Sequence, residues 1–501
     1  MVNRQKGIIT TYVLAFGAIF LLLLGGLLSF ILLQLKQAAQ REAWNEALHV
    51  AEAGIDYYQW CLNNEVEENC QLEKDYTDAA GKVIGRFSLE VTPTVYCGEV
   101  VERVVVSTGW TSKFPEVKRK ISVFSGKPSV ARYAYLLNNN VWAGEDREIR
   151  GLYHSNGGIR MDGENQSLVT SAAVGGEWVC TSSFGCSPCP TSAGCRYSGS
   201  DCVCPGVFTT TGNSNPDLFS FPVVSFDFDS IKVDLASMQA LTLDGQGLYF
   251  PPSDGEGYHI VLNEDRTIDV WEVTEVDMLD DVCTIVGFKV FCDDDTCEPE
   301  CPECSLGKCV VKDPVIADET LYDTGHYTIP EDCGVVFFED DVWIGGETQE
   351  SKIKGKITLV SADLTTPGLE TDIWLQGNIE NTVDDGSDGF TAIAQHDNLV
   401  GLYSPDNMEI DGIFIAQSGH FGRNYYPCGW HSSYQPHCLR EKLEITGSVV
   451  SNGRVGTKWG DGASGFLERE NYFAPYLIYS PPPFTPYLSS TFEEVFWEEV
   501  E

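Results

Sequence analysis

Cysteine is the residue whose number and spacing first ask for a chemical explanation. The chain has 18 of them, grouped at 61/70/97, 180/186/189/195/202/204, 283/292/297/301/304/309/333 and 428/438. Cys186/Cys189 and Cys301/Cys304 have C-x-x-C spacing, and with further thiolates close by they could build four-sulfur zinc sites. The segment "CGWHSSYQPHC" sets His431 and His437 between Cys428 and Cys438, a second candidate metal set. Disulfide formation competes with both, and an even count at this density in a chain with an exported look favours it. On that reading Cys428 and Cys438 form a bridge and the histidines are exposed.

Carboxylates are the other abundant reactive group. Asp384, Asp385 and Asp388 lie among glycines in "DDGSDG", a pattern suited to a Ca²⁺ loop. No Glu stands at the twelfth position from Asp384, so the full EF-hand pattern is absent, and a solvated loop is the default. Asp293-Asp294-Asp295 is a second acidic run. Asp372, Asp406 and Asp411 lie near predicted strands, where carboxylates of a polysaccharide-cleaving enzyme could sit. The sequence has no G-x-S-x-G, no H-E-x-x-H and no phosphate-cradling glycine loop. It reads as non-catalytic, with Ca²⁺ the one cofactor its carboxylates suit. The 32 Lys and Arg face 74 Asp and Glu, a formal charge of -42. Such a chain repels nucleic acid and anionic surfaces.

These groups need elements to carry them. At 501 residues the chain exceeds one ordinary core. From Ile8 to Leu35 it is apolar and uncharged, longer than a signal-peptide core and enough to cross a bilayer. No A-x-A cleavage site follows. The sequence stays helical through "QLKQAAQREAWNEALHVAEAGIDYYQWCLNN", so one helix over about 8–63 would be roughly 80 Å long. Ala39, Ala43, Ala47 and Ala51, then Ile55, form a narrow stripe along it. The stripe predicts packing, either on the chain's own body or on another helix, and Gly25 and Ser29 share the small-residue spacing. The short N-terminus and the acidic, cysteine-rich remainder predict a single span, N-in and C-out, with an extracellular body.

The leader ending at Gly7, the apolar helix and "ALHVAEAGID" (Ala47 to Asp56) resemble the N-terminus of type IV pilin-like proteins, most of all the PilX-type minor pilins. The resemblance covers about the first 60 residues. It implies cleavage between Gly7 and Ile8 and a methylated Ile8 as mature N-terminus. It also implies pilus or pseudopilus subunits as partners through the helix, with inner-membrane lipid around it before assembly. Most members have Glu at the fifth mature position, paired with a neighbour's terminal amine. Here it is Tyr12, which the resemblance associates with minor or tip subunits.

Beyond the helix the fold class reads as mainly β. Alternating segments from Gly81 to Gly126 predict an antiparallel meander like the pilin sheet. Then "IRGLY" (149–153), "IKGKI" (353–357), "LQGNI" (375–379), "IDGIF" (410–414) and "ITGSV" (445–449) form a weak repeat. It predicts a parallel β-helix solenoid interrupted by two Cys-rich insertions, Cys180 to Cys204 and Cys292 to Cys309; an ordinary β-sandwich is the alternative. The C-terminal "SNGR", its aromatic segment and "PPPF" resemble the ends of large bacterial surface proteins. The predicted organisation is a leader (1–7), transmembrane and extended helix (8–64), pilin-like meander (65–130), first solenoid part (131–179), Cys-rich and β segments (180–335), main solenoid (336–488) and acidic tail (489–501). The expected function is a cell-surface structural or adhesion protein, a minor or tip subunit of a type IV pilus-like assembly, with a glycan or cell surface as a further ligand. The alternatives are a membrane-anchored surface protein that never assembles and an anchored polysaccharide-active enzyme.

Overall fold

The computed structural model describes residues 6–64, 66–286, 289–292, 303–305, 308–429, 432–460 and 462–500. It is mainly β, with one long helix at the start, and divides into two units. The first comprises 1–93, 102–126 and 491–501, the second 94–101 and 127–490.

In the first unit, helix α1 runs unbroken from Lys6 to Asn63, 58 residues, or about 87 Å at 1.5 Å per residue. Strands β1 (Glu73–Thr77), β2 (Val83–Tyr96), β3 (Glu99–Thr111) and β4 (Lys118–Gly126) follow, and the C-terminal strand Glu493–Val500 completes a five-stranded sheet beside β4. The acidic tail is thus a sheet strand, and Arg119 of β4 holds its Glu499. Alternation in β3 sends Arg103, Val105, Ser107 and Gly109 inward. They meet a helix face made of Val50, Ala51, Ile55, Tyr58 and Leu62.

Close approach is built into this interface. A Cβ on Gly109 would lie 2.3 Å from Ala51 N and 2.5 Å from Ala47 O, and one on Gly54 would lie 2.4 Å from Ser107 Oγ. Gly54 therefore lies mid-helix because the sheet leaves no room for a side chain. A disulfide, Cys61–Cys70, ties the last helical turn to the following loop. There Glu67 receives both Arg103 (2.6 and 2.7 Å) and the Tyr58 hydroxyl (2.7 Å).

The second unit is founded on parallel strand ladders. The longest takes, in spatial order, Leu248–Phe250, Val335–Phe338, Lys356–Ser361, Gly389–Ala394, Asn407–Ala416, Leu439–Ser451, Tyr133–Leu137, Leu152–Ser155, Val169–Ser171 and Phe219–Ser220. Every neighbouring pair is parallel. "VVFF", "KITLVS" and "GFTAIA" are buried at every position, which is why they read as apolar runs and not as alternation. A second parallel ladder joins Gly257–Leu262, Val342–Ile344, Ile373–Leu375, Asn398–Val400 and Phe421–Gly422. One apolar core collects side chains from both.

Spatial order departs from chain order. The polypeptide enters the long ladder in its middle, at Tyr133, and proceeds to one end at Phe219. It then crosses through helix α2 (Leu235–Leu243) to the other end at Leu248 and works back. Leu439–Ser451 finally comes to lie beside Tyr133–Leu137. At this joint Tyr135 donates to Asn471 (2.9 Å) and Arg469 grips Asp146 with two bonds of 2.8 Å.

The repeated glycines fall in two settings. Gly151 and Gly355 each sit between two short strands. In the last two copies the strands run straight through, and Gly412 pairs with Gly447. A Cβ on Gly447 would lie 2.0 Å from Gly412 O, so only glycine allows this stacking.

Candidate functional sites

Two features concentrate the groups that could carry function, and each is best taken within its own unit. The first is helix α1. Gly7 and Ile8 lie in its opening turn. From Ile9 to Leu35 every residue is exposed, Tyr12 among them. The helix is long and apolar enough to cross a membrane, and none of that apolar stretch is buried inside the chain. Gly25 and Gly26 have no neighbour within 4 Å of a would-be Cβ. The alanine stripe meets different surroundings. Ala43, Ala47, Ala51 and Ile55 are buried in the chain's own first unit, and Ala39 is half-buried. The exposed half and the stripe thus divide the helix into two working lengths.

Burial alone would raise the Glu67 carboxyl at the helix end, but Arg103 and Tyr58 hold it below its usual value. The same burial and Glu67 push the Tyr58 hydroxyl well up.

The second feature lies at the start of the second ladder's strands. Asp341, Asp372, Asp397 and His420 each precede one strand and stack on one another. Asp341 accepts the amide of Asp372 (2.8 Å), Asp372 that of Asp397 (2.9 Å), and Asp397 that of His420. Each carboxylate therefore satisfies an amide one level along the stack. Basic side chains flank the column. Lys312 donates to Asp341 and lies 4.0 Å from Asp372. His396 Nδ1 lies 3.0 Å from Asp372, and His420 Nδ1 lies 2.9 Å from Asp397.

The electrostatics follow from that arrangement. Burial pushes the Asp341 carboxyl up to about 6, against the pull of Lys312. Burial would raise Asp397 too, but His420 and His396 hold it low. Burial would lower His396, yet Asp397 and Asp372 outweigh it and raise the imidazole to about 9. Asp372, His396 and Asp397 converge within 4.8 Å, the spacing of a metal donor set. Their atoms are already engaged with two backbone amides, and His396 is held as a cation. Lys312 and His396 thus offset charge within the column from its own flanks.

The other sequence candidates are distributed as follows. Asp388 turns inward and accepts from Gly355 N (2.7 Å), Thr382 and Val383 N, whereas Asp385 accepts from Ser387 N (2.9 Å). Among the described residues, Asp384, Asp385 and Asp388 do not form a converging donor group. Both Asp388 oxygens and one Asp385 oxygen are engaged by donors of the chain itself. Asp406 accepts from Glu441 N and Asp411 from Asn381 N, both at 3.1 Å, and burial pushes Asp411 up to about 6. These two do not join Asp372 in a converging group among the described residues.

Cys186 and Cys189 belong to separate disulfides, Cys180–Cys186 and Cys189–Cys202, with Cys195–Cys204 beside them. Further bridges are Cys97–Cys333, Cys283–Cys292 and Cys428–Cys438. His437 lies 2.6 Å from Arg440. His431, Cys301, the side chain of Cys304 and Asp293-Asp294-Asp295 lie outside the described residues.

No protein-family model matches the chain, and no curated protein matches it. Among solved structures, the competence-associated pilin ComZ from Thermus thermophilus is similar over 91% of this chain and 98% of that chain, at 13% identity and a TM-score of 0.30. A likeness at that level carries no argument here.

Proposed function

We propose that this chain is a membrane-anchored cell-surface protein that assembles, as a minor or tip subunit, into a type IV pilus-like structure. One observation carries the reading: α1 is a single helix whose first half is apolar and free of the chain's own body, while its second half is sealed onto a sheet. A plain anchor needs only about 20 apolar residues and no rigid continuation. A subunit that packs among copies needs the continuation, because the body must move with the helix.

Gly25 and Gly26 support the same reading. Each costs the helix about 1 kcal/mol relative to Ala. No neighbour within this chain requires them. Close approach of another helix gives them a purpose. On this reading the prepilin cut falls between Gly7 and Ile8, and Tyr12 replaces the usual acid in a subunit that does not need it. Before assembly the helix lies in the inner membrane, N-in and C-out, and the body faces outward. The resemblance of "ALHVAEAGID" to minor pilins points the same way.

We read the second unit's parallel ladders as coils of a parallel β-helix, with Cys180–Cys204 as a disulfide-stapled insertion. Its role is structural and adhesive. The carboxylates that could suggest catalysis, Asp372, Asp406 and Asp411, each accept a backbone amide. The test is fractionation of cells expressing the chain. Filaments sheared from the surface should contain it. Recovery only in washed membranes, with none in sheared filaments, refutes assembly and leaves the anchored-protein alternative.

A further inference from the structure

The second unit holds a cavity of about 750 Å³ beside the joint where the last coil meets the first. Its walls come from stretches far apart in sequence, among them those around Trp142, Arg160, Ser183, Thr210 and Trp459. In a chain of charge -42 it is unusual in gathering four cations: Arg160, Arg454, Lys458 and Arg469.

Three of the four are engaged by carboxylates. Arg160 bonds Asp162 (2.6 Å), the Phe184 carbonyl (2.8 Å) and Thr210 (2.7 Å). Arg469 bonds Asp146 twice, and Lys458 lies 3.4 Å from the same carboxylate. Arg454 differs. Its guanidinium donates to the Ser183 carbonyl (2.8 Å) and lies 4.1 Å from the centre of the Phe184 ring. Among the described residues it makes no salt bridge. Burial alone acts on it, pulling it down to about 10. The side chain is half-buried, and a planar fork held by a carbonyl and a ring, with no carboxylate paired to it among the described residues, suits a carboxylate.

The two indoles define the rest of the ligand. Trp142 donates to Asp162 (2.9 Å) and Trp459 to the Arg423 carbonyl (2.8 Å). Their N–H groups are spent inside the protein, which fixes both rings; Arg160 lies 4.2 Å from the centre of the Trp142 ring and Tyr425 meets Trp459 edge-on, so each indole bounds the cavity with the part of its ring left half-buried. Rigid aromatic surface beside polar groups is the environment that receives an apolar sugar face and its hydroxyls. The volume matches an oligosaccharide of a few units. The overall charge would repel an extended polyanion but tolerates one carboxylate drawn to a local cation.

We infer that this cavity binds a carboxylate-bearing saccharide, a uronate or sialate terminus, with Arg454 pairing its carboxylate and Trp142 and Trp459 bounding its ring. This deepens the adhesive side of the proposed function, and it stands whether or not the chain assembles.

The test is titration calorimetry on the full chain in lipid nanodiscs. The probes are a glucuronate-terminated disaccharide, N-acetylneuraminate, the methyl ester of each, inorganic phosphate and an acidic peptide. The free acids should bind about tenfold or more tighter than their esters, the usual scale of a charge-assisted pair. Arg454→Gln should abolish that preference, and Arg454→Lys should keep part of it. Equal binding of acid and ester overturns the inference on the unaltered chain, even if a variant misfolds. So does tighter binding of phosphate or peptide, unchanged affinity in Arg454→Gln, or no binding of either acid at about 10 mM, beyond the weak end of the affinity scale. Filament recovery is a separate readout, so failure here and failure of assembly are told apart.

Discussion

Replacing Gly109 by Ala tests how the first unit holds its helix. The new Cβ would meet Ala51 N at 2.3 Å, Ala47 O at 2.5 Å and Ala51 Cα at 2.9 Å, where ordinary contact begins near 3.4 Å. All three are backbone atoms, so no side chain can swing aside, and sheet and helix must separate by about 1 Å. Overpacking of this kind costs about 1–3 kcal/mol. Ala in place of Gly in a strand returns about 0.5–1 kcal/mol through the unfolded chain. Three contacts with immovable backbone put this clash in the upper part of that range, about 2–3 kcal/mol, so the net loss is about 1–2.5 kcal/mol and the helix–sheet interface should open about 5- to 70-fold more often. Hydrogen exchange of peptides covering residues 47–62, in the full chain in nanodiscs, measures this directly. Gly26→Ala is the control, because nothing lies within 4 Å of its Cβ, and it should leave the same peptides unchanged. Equal or slower exchange in Gly109→Ala would refute the close-approach account.

Three further outcomes follow from the electrostatics. Glu67 is held below its usual 4.5, so its contribution is present above that pH and is lost as pH falls through the lower folded value. Glu67→Gln should cost about 1 kcal/mol at pH 7, a modest figure because its side chain is 39% exposed, and should flatten the acid limb of the first unit's stability profile. His396 is raised from 6.5 to about 9, so its contribution is complete below pH 6.5 and disappears as pH rises through about 9. His396→Gln should remove that alkaline loss, as followed by exchange of the peptides around Asp372–Val400. Asp372→Ala leaves the buried amide of Asp397 without its acceptor, and should cost about 1–3 kcal/mol, read as faster exchange in the second ladder with the first unit untouched.

How far the sequence foretold this structure depends on the length over which each signal repeats. The helix was legible to its last turn because apolar character and then the alanine spacing persist for some fifty residues. What the alanines face was not legible, since Gly109, against which Ala47 and Ala51 lie, is in a strand about sixty residues later. The I-x-G-x repeat marked breaks between short strands at Gly151, Gly355 and Gly377 and a glycine pair inside long strands at Gly412 and Gly447, but it concealed the spatial order. Nothing local in "ITGSVV" says that its neighbour is "YAYLL", more than three hundred residues earlier in the chain. The stacked carboxylates carried a signal of their own: in "DVWI" (341–344), "DIWL" (372–375) and "DNLV" (397–400) an Asp immediately precedes a second-ladder strand. Reading that second repeat beside the glycine repeat would have assembled Asp341, Asp372 and Asp397. Lys312 and His420 break the pattern and became neighbours only through the fold. The "DDGSDG" loop shows the converse, for its cation-like spacing leaves Asp388 turned inward to Gly355 N, Thr382 and Val383 N and Asp385 on Ser387 N.

The central claim is that α1 belongs to a processed, assembling subunit. Mass spectrometry of the N-terminus of the mature chain, isolated from the cells that make it, tests this most directly. The account predicts a chain that starts at Ile8, with a methyl group on its terminal amine. Mature protein that uniformly retains Met1 and the leader through Gly7 would contradict it.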